Sequence, residues 1–177
     1  ERNRVCMESE RSWPPQSLAA ARWALLAGNF VIGCGVMVVG GTLNDLTRSL
    51  NISVTQGGHL IAIAAIMMGV GSPLLASLVA GMDRRRLLTW TMVWFALGHA
   101  LCAWAPSYEW LWPFRALTVL SAAVFTPQAA ATVGFMSTPA HRGRAITFVF
   151  MGWAIASVAG MPLAAWVGER LGWRVAM

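Results

Sequence analysis

The chain has 177 residues, 57% of them hydrophobic and only 11% charged, with a formal net charge of +6. A soluble domain carries about 25% charged residues, so this composition cannot cover a water-facing surface, whereas a lipid-facing one needs almost no charge. The basic excess is carried entirely by arginines that punctuate apolar segments rather than forming a stripe, which argues against a nucleic acid as partner.

Residues 1–20 are polar, with Arg2, Arg4, Glu8, Glu10 and Arg11 ahead of Pro14 and Pro15. No apolar core can form there, and a mobile cytoplasmic tail is expected. It is not a secretory signal, because the apolar run that follows is too long and lacks a small-residue cleavage site. Residues 21–177 then hold five long apolar stretches: about 23–43, 57–80, 87–106, 110–134 and 145–167. Each is long enough for a helix across ~30 Å of hydrocarbon and too long for a buried strand. Backbone polar groups in lipid must be satisfied within the segment, which leaves helices. The fold expected is an all-α polytopic membrane protein.

Arginine placement sets the orientation. With the tail inside, the inner segments hold Arg2, Arg4, Arg11, Arg22, Arg84, Arg85, Arg86, Arg142 and Arg144, and the outer ones only Arg48, Arg170 and Arg174. That is the positive-inside bias. Trp104, Tyr108, Trp110 and Trp112 gather where the third and fourth helices meet outside, and Trp23, Trp166 and Trp173 mark other ends, as headgroup-level aromatics do. Trp94 and Trp153 read as core packing. Cys6, Cys34 and Cys102 are far apart and form no metal or redox pair, and Cys34 and Cys102 stand in apolar runs as small hydrophobes. The chain begins at Glu1 and stops at Met177 soon after an apolar run, so a piece of a longer protein is expected, cut where a sixth helix would start after Trp173.

Three patterns carry a family resemblance. Between the second and third helices, Ala76 to Leu88 reads A-S-L-V-A-G-M-D-R-R-R-L-L. In the fourth helix, Arg115, Thr118, Val119 and Ala123 are followed by Pro127. In the fifth, Gly152, Ala156, Gly160, Ala164 and Gly168 recur every four residues, with Pro162 among them. In order and spacing these resemble the first half of the Major Facilitator Superfamily: its loop G-x-L-A-D-R-x-G-R-R-x-x-L, its R-x-x-Q-G-x-x-x-A and its antiporter signature G-x-x-x-G-P-x-x-G. The D-R-R-R-L-L ending resembles the sugar- and purine-efflux branch of the drug:proton antiporters. The short turns His141 to Ala145 and Gly168 to Arg174 are similar to the family's R-G-R-A and G-x-x-L-G-W-R. The pattern departs at Ala80, where the family has aspartate, at Asp83, where it has glycine, and at Thr118 and Val119, where it has glutamine and glycine.

The resemblance implies five helices of a six-helix amino-terminal bundle and secondary active transport by alternating access, specifically proton-coupled efflux of a small organic solute. It implies a latch in the loop of Asp83, Arg84 and Arg85, and proton or substrate coupling at Arg115. Arg115 could instead snorkel to the outer interface. A buried arginine costs about 2.5 kcal/mol or more on insertion scales, and such residues face the bundle interior. Asn29 and Gln128 are polar positions for a substrate cavity, or for bonds to a neighbouring helix. The small face of Gly152, Ala156, Gly160 and Ala164 permits close helix approach, as a static seam or a sliding contact, and Pro162 is expected to kink the fifth helix. His99 reads as a lone structural histidine. No Asp or Glu lies deep in any of the five helices, and Val36 stands about where some family members carry an acid.

The partners expected are the bilayer, a small-molecule substrate, protons and the carboxy-terminal half of the same transporter, in a bacterial inner membrane. No metal, cofactor or nucleic acid is expected. An enzyme is not expected, because H-E-x-x-H and G-x-S-x-G turns are lacking. An inactive remnant or membrane scaffold is the alternative. The topology predicts that, in single-cysteine variants in intact cells, an impermeant thiol reagent labels Tyr108→Cys from outside but not Arg85→Cys; the reverse pattern would invert the orientation.

Overall fold

The computed structural model describes residues 15–177; the expected tail lies, over residues 1–14, outside the described residues. Helices run in the order α1 (Pro15–Gly41), α2 (Leu43–Leu50), α3 (Val54–Val79), α4 (Arg84–Trp104), α5 (Tyr108–Met136), α6 (Arg142–Ile155), a π-helical turn (Ala156–Gly160), α7 (Met161–Leu171) and α8 (Trp173–Ala176). No strand occurs among the described residues. Five segments are long and apolar enough to cross a membrane: Leu18–Gly41, Val54–Val79, Arg84–Trp104, Tyr108–Met136 and Arg142–Leu171. The last runs unbroken from α6 through the π turn into α7.

The ends differ from the expected ones where capping chemistry decides. Proline at a first helical position loses no hydrogen bond, so α1 starts at Pro15, inside the stretch expected as tail. Ser53 and Gln56 form a reciprocal capping box that starts α3 at Val54 rather than 57. Asp83 caps α4, its Oδ1 accepting the Arg86 N–H at 2.9 Å, and starts that helix at Arg84 rather than 87. The short helix α2 was not foreseen. It carries Leu43, Leu46 and Leu50 along one side, buries Leu46 completely, and ends at Asn51 in the left-handed conformation (φ 50°).

α5 is the hub. It packs on α4, α3, α6 and α1, and Leu111, Arg115, Thr118, Val119, Ala122, Phe125, Ala129 and Val133 are buried along it. α3 buries little beyond Gly57, Leu60, Ala64 and Gly71 and turns Ile61, Ile66, Val70, Leu74 and Leu78 outward, as a lipid-facing helix must. Two apolar clusters fill the bundle. One, toward the arginine-rich end, contains Leu25, Ile32, Phe95, Phe125, Val133 and Val149. The other, toward the tryptophan-rich end, contains Val38, Leu46, Leu60, Cys102, Leu111 and Trp173.

Two tryptophans sit differently from their sequence assignment. Trp94 is half exposed rather than core, and its indole N–H donates to the Leu117 carbonyl on α5 at 3.0 Å. Trp173 is only 1% exposed and so belongs to no interfacial belt. Gly172, at φ 88°, turns the chain inward there. The Trp173 backbone N–H donates to Asp45 Oδ2 at 2.7 Å, and the Arg174 guanidinium stacks 4.4 Å from the indole.

The small face of the fifth span docks on α1. A Cβ built at Gly152 would lie 2.4 Å from the Leu26 carbonyl oxygen and 2.7 Å from the Phe30 nitrogen. Farther along, Ala156 faces Gly33, Gly160 faces Cys34, Ala164 faces Gly41 and Gly168 faces Thr42. Pro162 cannot donate a backbone hydrogen bond. Just before it the helix widens, with Met161 N donating to Ala156 O five residues back, so a π turn takes up the mismatch.

Backbone atoms cannot give way as a flexible side chain can, and overpacking costs about 1–3 kcal/mol. Gly152→Val is therefore expected to lower the unfolding temperature in detergent markedly, while Gly69→Val, with nothing within 4 Å of its added Cβ, leaves it near the parent. Equal stability of the two variants would contradict the α1 seam.

Candidate functional site

The deepest charge in the bundle is Arg115, 0% exposed on α5. Its side chain does not reach for the tryptophan-rich end of the bundle but turns to α1. Nη1 donates to the Gly35 carbonyl at 2.8 Å and Nη2 to the Val36 carbonyl at 2.5 Å, both on α1. Each helical carbonyl has a second lone pair beyond the one used along the helix. Glycine at position 35 leaves that face open: an added Cβ there would meet Phe95 at 2.6 Å and His99 Nε2 at 2.7 Å. Insertion of an arginine costs about 2.5–3.5 kcal/mol, and a hydrogen bond to a charged group contributes about 1.5–3 kcal/mol. Two such bonds are enough to hold the guanidinium inside. Arg115 Nε has no partner among the described residues.

His99, one helix away on α4, completes the arrangement. Its Nδ1 lies 3.0 Å from the Phe95 carbonyl, its Nε2 lies 3.1 Å from the Gly35 carbonyl, and Arg115 Nη1 is 3.5 Å from the same Nε2. One turn farther along α4, Cys102 Sγ lies 3.7 Å from Thr118 Oγ1. Gly98 lets α4 and α5 approach here, since a Cβ on it would clash with Thr118.

The other candidate residues fall into separate groups. Asn29 is fully buried and joins three helices: Nδ2 donates to the Val149 carbonyl at 3.2 Å, and Oδ1 accepts from Thr126 Oγ1 at 3.2 Å. Trp153 Nε1 adds a 3.4 Å contact to Thr126. Gln128 Oε1 accepts from Arg84 Nη1, which joins α5 to the first residue of α4, and Arg84 also lies 5.7 Å from the Phe135 ring. Asp83 uses Oδ1 on its own helix cap, and Arg85 is exposed. The structure thus joins Arg84 to Gln128, and keeps both apart from the group formed by Arg115, Gly35, Val36 and His99.

A cavity of about 630 Å³ opens between α1, α4, α7 and α8. It is apolar apart from His99, with Cys34, Phe95, Gly160 and Ala164 in its wall; Asn29 and Gln128 do not line it. His99 is therefore the polar group that borders both this cavity and Arg115, and not the lone structural histidine that the sequence suggests.

An all-helical bundle with five helices long and apolar enough to span a bilayer defines a multi-pass membrane protein. The Major Facilitator Superfamily profile matches residues 25–177, and the chain belongs to that family. It is 34% identical over 152 residues to the inner membrane transport protein YdhP of Escherichia coli (strain K12), covering 86% of this chain and 39% of the relative. It is 31% identical over 153 residues to the MFS-type transporter YtbD of Bacillus subtilis (strain 168), again 86% of this chain and 39% of the relative. It is 32% identical over 143 residues to a chloramphenicol resistance protein of Streptomyces lividans, covering 81% of this chain and 36% of that protein. The chain thus spans about two fifths of the length of these relatives.

Proposed function

We propose that these residues form the amino-terminal part of a proton-driven exporter of a small organic solute, with the arginine-rich end in the cytoplasm of a bacterial inner membrane. Membrane transport follows from the family; direction, driving ion and topology are the proposal. The activity is assigned to a protein of the relatives' length, in which a second half meets this one around a midplane site. No chemical conversion is assigned to it.

Export is favoured by relatives named for efflux and resistance, among them a chloramphenicol efflux pump of Mycobacterium tuberculosis (strain ATCC 25618 / H37Rv), 28% identical over 166 residues. The observation that carries the coupling assignment is Arg115, a fully buried cation held by two backbone carbonyls of α1 and, among the described residues, by no carboxylate. A charge bound this way can be released when a neighbour competes for the same carbonyls, and release would free α1 to shift against α5. Intramembrane ionisable residues that face the bundle interior mark ion or substrate pathways. The pair of Arg84 and Gln128 serves, in this account, as the cytoplasmic tie between the start of α4 and α5.

In the full-length protein, Arg115→Ala is expected to abolish export driven by an imposed pH gradient in proteoliposomes while leaving membrane insertion and yield near the parent. Export at the parental rate would remove Arg115 from the coupling mechanism.

A further inference from the structure

We infer, building on the transporter assignment above, that His99 is a proton-binding positioning residue that decides whether Arg115 keeps its hold on α1, because both compete for the Gly35 carbonyl.

Both ring nitrogens of His99 face acceptors, the Phe95 carbonyl at 3.0 Å and the Gly35 carbonyl at 3.1 Å. A neutral imidazole has one N–H and one lone pair; only the imidazolium donates from both nitrogens. The neutral tautomer that suits the Arg115 contact carries its proton on Nδ1, which donates to Phe95 O. The Nε2 lone pair then repels Gly35 O, and the donor within its reach is Arg115 Nη1 at 3.5 Å. That arrangement keeps Arg115 in place, bridging Nε2 and Gly35 O, which it holds at 2.8 Å.

A proton arriving on Nε2 reverses this contact. Nε2 becomes a donor to Gly35 O, Nη1 loses one acceptor and must share the other, and two cations now face each other across the same oxygen. Like charges at that separation repel strongly where water is scarce. Val36 O is then the one acceptor that the guanidinium does not share. Loss of the proton restores the first state. Protons and hydrogen bonds balance without any further group, and the proton comes from, or returns to, water reaching the cavity that His99 borders.

The groups around His99 leave it as the proton acceptor among the described residues. α5 faces it with Arg115, which is already protonated. α4 contributes Cys102, whose Sγ contacts Thr118. α1 contributes the two carbonyls and Cys34. The π turn and α7 border the cavity with Gly160, Leu163, Ala164 and Val167, none of them ionisable. Arg174 of α8 is held on the Ala105 carbonyl, and Asp45 on α2 is bonded to the Trp173 N–H. No Asp or Glu lies within a membrane-spanning segment except Glu109 and Glu169, each close to an end of its span.

The test uses the full-length protein with two readouts. His99→Gln keeps a side-chain N–H for the Gly35 carbonyl but does not titrate, and His99→Asn serves if the first variant does not fold. In proteoliposomes, export by the parent is expected to change as the pH is lowered through the range of roughly 8 to 5 in which histidine takes up its proton, and the variant's rate to stay within about twofold across it, since one ionisation governs the limb. In the nitrogen NMR spectrum of histidine-labelled parent, the resonance that the substitution deletes should convert from a neutral tautomer to the imidazolium within that range. A variant that keeps the parental pH profile, or a His99 resonance fixed in one neutral tautomer throughout, overturns the inference. A parent that exports nothing at any pH would instead defeat the transporter reading, while the resonance still tests His99.

Discussion

A guanidinium buried among helices has to find acceptors, and Arg115 finds them on the backbone of α1. The Gly35 and Val36 carbonyls accept at 2.8 and 2.5 Å, so the counter-charge is made of peptide dipoles rather than a carboxylate. This demands three things of the sequence at once. Position 35 must lack a side chain, α1 must approach α5 closely, and the guanidinium must be enclosed on its remaining sides. His99 stands against the guanidinium on one side, Phe95 and His99 crowd position 35, and Gly98 lets α4 approach Thr118 of α5.

α1 is therefore the element on which the bundle converges. One of its faces offers carbonyls to Arg115, and another receives the small residues of α6 and α7. Gly152 against Leu26 and Phe30, Gly160 against Cys34, and Gly168 against Thr42 form one seam along most of the span. In lipid no hydrophobic drive favours helix association, so such close packing and interhelical hydrogen bonds hold the helices together. Asn29 adds two of those bonds at the arginine-rich end. Asp45 and Arg174 fasten the opposite end through the Trp173 N–H and the Ala105 carbonyl. The fifth span meets α1 on either side of a π turn, a local weakness of helical register next to the residues that line the cavity.

The five spans were legible because spanning helices are written in composition: long apolar runs, with the arginines, Arg115 apart, near the joints. The inward placement of Arg115 was also legible, from the cost of burying a charge and from the family pattern around it. Boundaries were read less well, although the signals were present: S-x-x-Q before α3 and Asp83 before α4 are cap chemistry that hydropathy ignores. α2 was missed because its spacing of Leu43, Leu46 and Leu50 spans barely two turns. The partners of Asn29 lie 97 and 120 residues away, and no local pattern names them. His99 is different. It and Arg115 are 16 residues apart across the tight connection between α4 and α5, so an antiparallel pair of helices brings them to similar depth. Two ionisable residues flanking one such turn could have been read as a pair. Trp173 shows the opposite failure: an indole near a span's end suggests a headgroup anchor, and only the turn at Gly172 reveals that it points inward.

The central claim is that backbone carbonyls of α1, and not a carboxylate or the headgroup region, hold the Arg115 guanidinium. An electron cryo-microscopy map of the full-length protein in a lipid nanodisc, at a resolution that places side-chain atoms, tests it most directly. The account predicts both Nη atoms within hydrogen-bond distance of Gly35 O and Val36 O, with His99 Nε2 beside them. A guanidinium paired with an acid of the second half, or turned out toward the level of Trp110 and Trp112, would contradict it.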